Sequence, residues 1–427
     1  MTSRETALRV LQEVDGANRK SEEILNYLLD QSNLGRNDRA LARELVSGTL
    51  KYRLQCDFII SHFYRHDYAK AAPVLKNILR LGVYQLMHLD RVPVSAAVNE
   101  CVKLARKFKG DHLSRLVNGL LRKITPESVS LYRWTAKMAP AERLSIVYSC
   151  PPWLVERWIA TYGESRTESM LISNNLPPAT GYRINRLKAK PVDLFALPTL
   201  SGATRLENEL GDFFFSQEFT LFEPLLKEGL VSVQNPSQGL ACILADPAPG
   251  STVYDMCAAP GGKATFMAEL MNNSGRIIAI DRSSRKVARL VSNADALGIT
   301  IIEAHEGDAL TFDPECRPDT ILLDAPCTGT GVLGRRAELR WRCSPEKLLE
   351  LVALQISLLD RAAELLRPGG TLLYATCSLE PEENEHQTAA FLQRHPDFSI
   401  EKSILTLPGE PAGFDGAYAV RLVKKGM

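Results

Sequence analysis

The chain has 427 residues, of which 45% are hydrophobic and 24% are charged, with a net charge of +1; this balance is typical of folded globular proteins and excludes a disordered or fibrous chain. At roughly 100–200 residues per domain, the length predicts two or three domains. No apolar run approaches the ~18–20 residues that span a bilayer, and the first residues lack the apolar core of a secretory signal, so we expect a cytoplasmic protein without a membrane segment.

The net charge conceals an asymmetry along the chain. Residues 1–150 carry 24 Lys and Arg against 15 Asp and Glu, a net of +9, whereas the remaining residues carry a net charge of −8. A basic front half favours a polyanionic partner bound there, although solvated surface charge alone would give the same pattern.

Residues 1–125 are predicted to be helical throughout. Apolar side chains recur at helical spacing, as in Ala7, Val10, Leu11 and Val14, and few alternating β-branched stretches interrupt the pattern. We therefore expect an all-helical domain here.

Residues 126–240 indicate a connector followed by a small mixed domain. Two prolines at 151–152 mark the start of a helix, and strands are predicted at 181–186 and 229–234. These elements predict a small α+β domain.

Residues 241–427 alternate short apolar strands with helices, the clearest helix being 345–366. This alternation predicts a doubly wound, mostly parallel sheet covered by helices on both faces. In such sheets the ligand binds at the carboxyl ends of the strands. The predicted strands are 252–256, 277–281, 299–302, 320–324, 371–375 and 417–423.

The first of these strands leads into a loop with the features of a cofactor site. The loop consists of Cys257, Ala258, Ala259, Pro260, Gly261, Gly262 and Lys263. Its small residues let the backbone approach a ligand, and the helix that follows offers free N–H groups. Asp281 and Asp308 follow the next two strands, where acids suit ribose hydroxyls and an adenine amino group. We therefore predict a nucleoside-containing cofactor, with Lys263 either beside the cofactor's carboxylate or exposed in the first helical turn.

Two cysteines follow the next two strands. Asp324 ends the fourth strand shortly before Cys327, and Cys377 follows the fifth. Because neighbouring parallel strands end at one edge of the sheet, we expect both thiols in the crevice beside the cofactor loop. Such an arrangement favours covalent catalysis, whereas a single free cysteine is more often a small buried hydrophobe.

The remaining cysteines are interpreted as packing residues. Their number in the whole chain is odd and none forms a CxxC pair, which argues against a disulfide framework. No pair has zinc-ligand spacing with a histidine nearby, so no metal is expected. The packing cysteines are Cys56, Cys101, Cys150, Cys242, Cys257, Cys316 and Cys343.

The motifs Cys-Ala-Ala-Pro-Gly-Gly-Lys, Asp-Ala-Pro-Cys and Thr-Cys-Ser, in that order, resemble those of the RNA cytosine-C5 methyltransferase family. The resemblance implies that Cys377 is the nucleophile that adds to C6 of cytosine, that Cys327 helps to release the product, and that Asp324 contacts the base. It also implies S-adenosyl-L-methionine as the cofactor, held by residues 257–263, Asp281, Asp308 and Asp324. One departure occurs at Asn235 and Pro236, where the family usually has Asp and Ala.

The loop after Cys327 carries arginines interleaved with a tryptophan. In an RNA enzyme these residues suit phosphate contacts and stacking on an unpaired base; alternatively, the loop is solvated and packs its tryptophan. The candidate RNA-binding residues are Arg335, Arg336, Arg340, Trp341 and Arg342.

Residues 1–125 resemble the RNA-binding NusB family in the stretches 4–11, 45–50, 78–86 and 98–106. A NusB-like domain joined to this catalytic domain is the layout of bacterial 16S ribosomal RNA methyltransferases, which implies cytosine 967 of 16S RNA as the target. We expect the enzyme to be a monomer. Candidate phosphate contacts in the helical domain are Arg36, Arg39, Arg43, Lys103, Arg106, Lys107 and Lys109.

The predicted fold is therefore multidomain: an all-α NusB-like domain over 1–125, a connector and small α+β domain over 126–240, and an α/β Rossmann-like S-adenosylmethionine methyltransferase domain over 241–427. Two other functions remain open. A DNA cytosine methyltransferase would attack with Cys327, but the presence of both cysteines favours RNA. A non-catalytic RNA-binding or assembly factor would keep the cofactor site only as a relic.

Overall fold

The computed structural model describes residues 1–16, 20–197, 200 and 202–426. It contains two compact units. The first comprises Met1–Leu176 and Leu333–Arg342; the second comprises Pro177–Val332 and the chain from Cys343 onward. These bounds differ from the predicted domains, because the helices of the predicted connector pack with the first unit and its strands pack with the second.

The first unit is helical, as predicted, and its core surrounds one helix. That helix, Pro73–His88, begins with proline at its first turn and is buried along nearly its whole length, since apolar residues cover several of its faces. The helices within residues 1–176 are α1 (Ser3–Gly16), α2 (Ser21–Asp30), α3 (Arg36–Lys51), α4 (Arg53–Phe63), α5 (Pro73–His88), α6 (Val94–Lys109), α7 (Asp111–Leu121), α8 (Leu131–Thr135), α9 (Pro140–Tyr148), α10 (Pro152–Tyr162) and α11 (Glu164–Asn175).

The second unit combines two sheets with covering helices. Its helices are α12 (Pro191–Phe195), α13 (Phe219–Lys227), α14 (Pro236–Ala245), α15 (Gly262–Leu270), α16 (Ser284–Leu297), α18 (Pro345–Leu365) and α19 (Glu385–Arg394). The small sheet consists of β1 (Thr180–Ile184), β2 (Thr204–Arg205), β3 (Phe213–Ser216) and β4 (Val231–Val233). The large sheet consists of β5 (Thr252–Asp255), β6 (Arg276–Asp281), β7 (Ile302–Glu306), β8 (Thr320–Asp324), β9 (Thr371–Thr376), β10 (Phe398–Thr406) and β11 (Ala417–Lys424).

The large sheet has the strand order β10-β11-β9-β8-β5-β6-β7. The strands from β9 to β7 in this order run parallel, and β11 is antiparallel to both its neighbours. The chain leaves β5 toward β6 on one side and later returns to β8 on the other, so the switch point of the sheet lies at β5 and β8. Ligands of doubly wound sheets bind outside the carboxyl ends of the strands at this point.

The predicted strands are confirmed in the centre of the large sheet and are wrong at its edges. The strand predicted at 299–302 lies at 302–306, and β10 was not predicted at all. Both are edge strands with mostly exposed or half-exposed side chains. These two strands therefore lack the apolar run that predicts a buried strand, since an edge strand needs fewer buried residues.

The segment Leu333–Arg342 follows β8 in sequence but packs in the helical unit. It includes the short helix α17 (Leu339–Arg342). Arg340 is 1% exposed, and its guanidinium fills the helical unit's interior. It donates to the carbonyl oxygens of Lys51, Tyr148, Ser149 and Asn174 and to Oδ1 of Asn175, at 2.8–3.2 Å.

Burial corrects the prediction for Arg340, whereas Trp341, which is half-buried, stays a predicted RNA contact. Arg340 is wrong as a surface contact, because its side chain is buried and both of its terminal nitrogens already donate to oxygen atoms of the protein. Trp341 donates from Nε1 to the Leu50 carbonyl at 2.7 Å, and the Arg53 guanidinium lies 5.5 Å from its ring centroid. Both residues therefore hold the segment in the helical unit.

We predict that Arg340→Lys lowers the free energy of unfolding by about 3 kcal/mol, because one ammonium group cannot reach the carbonyl oxygens that the guanidinium fork serves, and unpaired buried acceptors are costly. Urea denaturation followed by circular dichroism measures the change. The exposed neighbour Arg336 provides the control, since Arg336→Lys should change stability by less than about 0.5 kcal/mol. Equal stability of the two variants would contradict the structural role of Arg340.

Candidate active site

The cofactor-type loop 257–263 connects β5 to α15. Gly261 has φ +99°, and a Cβ there would lie 2.9 Å from Cγ of Leu290, so this position requires glycine. The N–H groups in the first turn of α15 have no partners within the helix and face the end of the loop. The start of α15 therefore offers free N–H donors at the end of this loop.

A buried polar network supports this loop from behind, and sequence reasoning missed it. Arg183 forms an ion pair with Glu269, Nη2 to Oε1 at 2.6 Å, and both side chains are 1% exposed. Arg183 and Gln234 each donate to the carbonyl oxygen of Gly262, at 3.2 and 3.1 Å. The sequence around Arg183 does not indicate these contacts, because its partners are distant in sequence.

The two predicted acids lie at the ends of β6 and β7. Asp281 accepts a hydrogen bond from the Ser283 N–H at 3.0 Å and is largely buried. Asp308 is partly exposed and accepts from Arg282 at 2.8 and 2.9 Å. Hydrogen bonds from Arg282 and then from the Leu310 N–H lower the pKa of Asp308, so this carboxyl is ionised.

Lys263 is buried and ion-paired, which excludes one of its two predicted environments. Its Nζ lies 2.6 Å from Oδ2 of Asp324, the residue that ends β8. Burial would lower the pKa of Lys263, but the charge and hydrogen bond of Asp324 outweigh it and raise the pKa. The alternative of an exposed lysine in the first helical turn is therefore wrong, and the pair lies beside the predicted reacting thiols.

Asp255, the last residue of β5, is a site residue that sequence reasoning missed. It is 1% exposed, and neither carboxylate oxygen meets full hydrogen-bond geometry with a partner in the described part of the chain, although the charge of Lys263 and the nearby Cys257 N–H lower its pKa in part. Burial, and secondly the charge of Asp324, raises its pKa to about 8. The signal was an acid at the end of an apolar strand directly before the cofactor loop.

The two predicted thiols meet at the ends of β8 and β9. The sulfur atoms of Cys327 and Cys377 lie 3.3 Å apart, and both side chains are half-buried. The hydrogen bond with Cys377 and then burial raise the pKa of Cys327 well above its usual range. A small cavity lined by Lys263 and Tyr418 adjoins Cys377. One nucleophile beside a second, protonated thiol is an arrangement suited to covalent catalysis.

The other cysteines do not join this cluster. Cys56, Cys101, Cys150, Cys242 and Cys343 are buried, whereas Cys257 and Cys316 are half-buried. Burial raises the pKa of Cys101 and of Cys242 to about 12. In the described ranges, no three His, Cys, Asp or Glu side chains group as metal ligands.

Asn235 has a structural role where the resembling family usually has Asp. Its Oδ1 caps α14 by accepting from the Ser237 N–H at 3.0 Å, and its Nδ2 donates to the Gly413 carbonyl at 3.1 Å. The second contact needs an amide, which Asp does not provide.

The remaining predicted RNA contacts lie mostly at the surface. Arg335 and Arg336 are exposed, and Arg342 is half-buried beside a pocket that Asp15 and Arg53 also line. In the helical unit Arg39 is half-buried, and the exposed candidates are Arg36, Arg43, Lys103, Arg106, Lys107 and Lys109. Of these candidates, Arg39, Lys103, Arg106 and Lys107 form ion pairs with acids. No helix in the described ranges is long and apolar enough to cross a bilayer.

Comparisons with known proteins agree with this architecture. Residues 242–414 match the model of the 16S rRNA methyltransferase RsmB/F family, residues 1–126 match the NusB family, and residues 150–201 match the ferredoxin-like domain of RsmF/B-like methyltransferases.

Relatives of similar length match nearly the whole chain. A probable ribosomal RNA small subunit methyltransferase B of Bacillus subtilis is 34% identical over 410 residues, which cover 94% of this chain and 90% of the relative. A protein of the same description from Synechocystis is 35% identical over 426 residues, covering 96% and 93%. The crystal structure of PH0851 aligns over 98% of both chains with 28% identity and a TM-score of 0.79. The chain therefore belongs to the ribosomal RNA small subunit methyltransferase B family.

Proposed function

We propose that this protein transfers a methyl group from S-adenosylmethionine to C5 of a cytosine in 16S ribosomal RNA, at cytosine 967, through a covalent bond between Cys377 and C6. The observation that carries this proposal is the 3.3 Å separation of the Cys327 and Cys377 sulfurs beside the Lys263–Asp324 ion pair. Two thiols and an acid at one strand edge match the needs of a reaction that must add to, methylate and then release a pyrimidine ring.

The second unit offers groups that fit the cofactor. S-adenosylmethionine supplies an electrophilic methyl group when bound. The buried carboxyl of Asp255 lacks a partner, and a cationic amine is the donor that would satisfy it. Asp281 and Asp308 offer acceptors for hydroxyl and amino donors at the neighbouring strand ends. The loop 257–263 would bind the rest of the molecule through its backbone.

We assign the nucleophile to Cys377 on electrostatic grounds. Cys377 shares a cavity with the cationic Lys263, which stabilises a thiolate there. Cys327 has its pKa held high by Cys377, by burial and, to a smaller extent, by the carboxylate of Glu383. Of the two sulfurs, Cys377 is thus the one that attacks C6, and the opened C5=C6 bond lets C5 take the methyl group.

Asp324 is the residue that would read the base. Its carboxylate is partly exposed and held by Lys263 at 2.6 Å. It can accept hydrogen bonds from the exocyclic amine of cytosine and from N3 after that atom has taken a proton from solvent, a proton that returns to solvent when the product is released. Both contacts strengthen as charge develops on the ring, so they would stabilise the adduct more than the free base.

Release requires the C5 proton to leave and the C6–S bond to break, and we assign this step to Cys327. When Cys377 has become a thioether, its charge no longer opposes ionisation of Cys327. Cys327 can then give its own proton to solvent and accept the C5 proton. The electrons of the C5–H bond re-form C5=C6 and expel the Cys377 thiolate.

The substrate proposal rests on the family and on the charge distribution. The first unit presents exposed cations such as Arg36, Arg43 and Lys109, and Arg335 and Arg336 are exposed in its inserted segment. Phosphate contacts from these residues would hold the RNA, and the target base would leave its stack to reach the thiols. We also propose that the enzyme is a monomer and that it acts in the cytoplasm, where ribosomes assemble.

We expect the two cysteine variants to fail differently. Cys377→Ala should lower methyl transfer by more than about 10³-fold and form no adduct, since nothing else adds to C6. Cys327→Ala should accumulate a covalent protein–RNA complex that survives denaturing electrophoresis. The measurement uses 16S RNA lacking the modification and labelled cofactor. An adduct in Cys377→Ala but not in Cys327→Ala would reverse the two roles, as in a DNA-type mechanism.

A second prediction concerns the buried acid of β5. Because the pKa of Asp255 is raised from 3.8 to about 8, its charged form is destabilising, and the cofactor-free protein should lose stability as the pH rises through this interval. Asp255→Asn should therefore melt a few degrees higher than the wild type at about pH 9, with a smaller difference near pH 4.

The same variant should bind S-adenosylmethionine about tenfold more weakly, because an amide cannot pair with the ammonium group as a carboxylate does. Calorimetry measures the affinity, and thermal melts across the pH range measure the stability. The exposed Asp295 provides the control variant, Asp295→Asn. Unchanged affinity together with a wild-type pH profile would contradict the role of Asp255.

The target can be tested directly. Incubation of unmodified 16S RNA with the protein and labelled cofactor, followed by mass mapping of fragments, should give one 5-methylcytosine, at cytosine 967. A methyl group on another nucleotide would overturn the target. Absence of incorporation into naked RNA and into small-subunit precursors would favour a binding factor instead.

A further inference from the structure

The residues between Cys377 and α19 include several buried polar side chains, two of which bind the loops of the reacting cysteines. Glu383 and Asn384 are consecutive, and each is 0% exposed. Burying a carboxylate and an amide in adjacent positions is costly unless both are hydrogen-bonded. Their partners therefore indicate what these two residues do.

Glu383 binds the loop that carries Cys327. Its carboxylate accepts from the Thr328 N–H at 2.9 Å and also from the Thr328 hydroxyl. Gln355 donates from Nε2 both to Glu383 at 3.0 Å and to the Pro326 carbonyl at 2.9 Å. The peptide groups on the two sides of Cys327 are thus held by one buried pair, Glu383 and Gln355.

Asn384 binds the loop that carries Cys377. Its Nδ2 donates to the Ser378 carbonyl at 2.9 Å, and its Oδ1 accepts from the Thr376 hydroxyl at 2.6 Å. These partners are the residues on either side of Cys377. Asn384 therefore does for the second loop what Glu383 and Gln355 do for the first.

The Glu383–Asn384 dipeptide is itself fixed to the sheet. The Tyr374 hydroxyl, on β9, donates to the Glu383 carbonyl at 2.6 Å, and α19 begins directly after Asn384. Because two successive residues are each bonded to a different loop, the distance between the loops follows from the covalent geometry of one short stretch of chain.

We propose that Glu383 and Asn384 are positioning residues that set the separation of the Cys327 and Cys377 sulfurs. As a statement about catalysis, this inference rests on the proposed function; as a statement about geometry, it does not. The competing explanation is that direct contacts between the loops suffice. Such contacts exist: the Gly331 N–H donates to the Cys377 carbonyl at 2.9 Å, and the Leu379 N–H donates to the Thr330 hydroxyl at 2.9 Å.

The sulfur separation can be measured without RNA. Diamide oxidises two adjacent thiols to a disulfide, taking up the two protons and two electrons that the thiols lose and becoming a hydrazine. A disulfide bond of about 2.05 Å forms readily only between sulfurs already held close together. The rate at which the Cys327–Cys377 linked peptide appears, measured by mass spectrometry of the full-length protein after alkylation, therefore reports on the positioning.

Four variants separate geometry from charge. Glu383→Ala removes the acceptor for the Cys327 loop, and Asn384→Asp sets an acceptor against the Ser378 carbonyl. Glu383→Gln keeps the contacts. The amide oxygen of the new glutamine still accepts from the Thr328 N–H and from Gln355. Its amide nitrogen donates to the Thr328 hydroxyl, which can turn to donate to Ser378 instead. Glu385 is exposed and adjacent, so Glu385→Gln is the matched control.

We expect the rate of disulfide formation to fall about tenfold in Glu383→Ala and Asn384→Asp. Glu383→Gln and Glu385→Gln should remain within about twofold of the wild type. Circular dichroism checks that each variant is folded, and Asn384→Asp carries the test if Glu383→Ala is not. Wild-type rates in both disruptive variants would overturn the proposal, as would failure of the wild type to form the disulfide.

The methylation assay on the same variants tests the catalytic part. Glu383→Ala should accumulate the covalent RNA complex, since it displaces Cys327, whereas Asn384→Asp should slow formation of the complex, since it displaces Cys377. If the disulfide rates change as expected but no protein methylates RNA, the proposed function fails and the positioning stands. If all variants methylate normally despite altered disulfide rates, the positioning has no catalytic role.

Discussion

The parallel register of β8 and β9 is the constraint on which the reacting site depends. Asp324 lies opposite Ala375 in this register. Cys327, three residues beyond β8, and Cys377, directly after β9, therefore emerge at one edge of the sheet. A shift of one residue would turn alternate side chains to the opposite face. Both strands are central and buried, which leaves the register little freedom. The 3.3 Å contact of the two sulfurs is therefore a consequence of sheet topology, refined by the hydrogen bonds of the loops.

The end of the same sheet where we propose that the cofactor binds contains a residue that destabilises the fold. A buried carboxyl without a partner, as in Asp255, lowers the stability of the cofactor-free protein. Nearby, Lys263 forms its ion pair with Asp324, and its charge offsets only part of the cost of burying Asp255. An arrangement of this kind disfavours the empty state relative to one in which a cation is bound, because bound charge and buried charge then compensate each other. Functional sites often contain such destabilising groups, because the site is formed before the ligand that would pair with them is bound.

The segment Leu333–Arg342 illustrates why residue type is a weak guide to a binding surface. An arginine side chain can donate either to phosphate oxygens or to protein carbonyl oxygens, so its presence does not tell which of the two it binds. In this chain Arg340 serves carbonyl groups inside the helical unit, whereas Arg335 and Arg336, a few residues earlier, are exposed. The same composition therefore contains one structural residue and two candidates for RNA contact, and only burial separates them.

The sequence by itself determined the helical first part, the central strands of the large sheet and the loops at which Cys257–Lys263, Cys327 and Cys377 stand, because these features follow from local periodicity and from motifs at strand ends. The tertiary structure alone decided the isolation of Asp255, the two edge strands and the loop contacts of Glu383 and Asn384. Each of these depends on partners distant along the chain or on incomplete burial, neither of which leaves a periodic signal. Whether a residue is buried, and which distant residue it pairs with, depends on the whole folded chain. The local sequence pattern therefore does not determine either property.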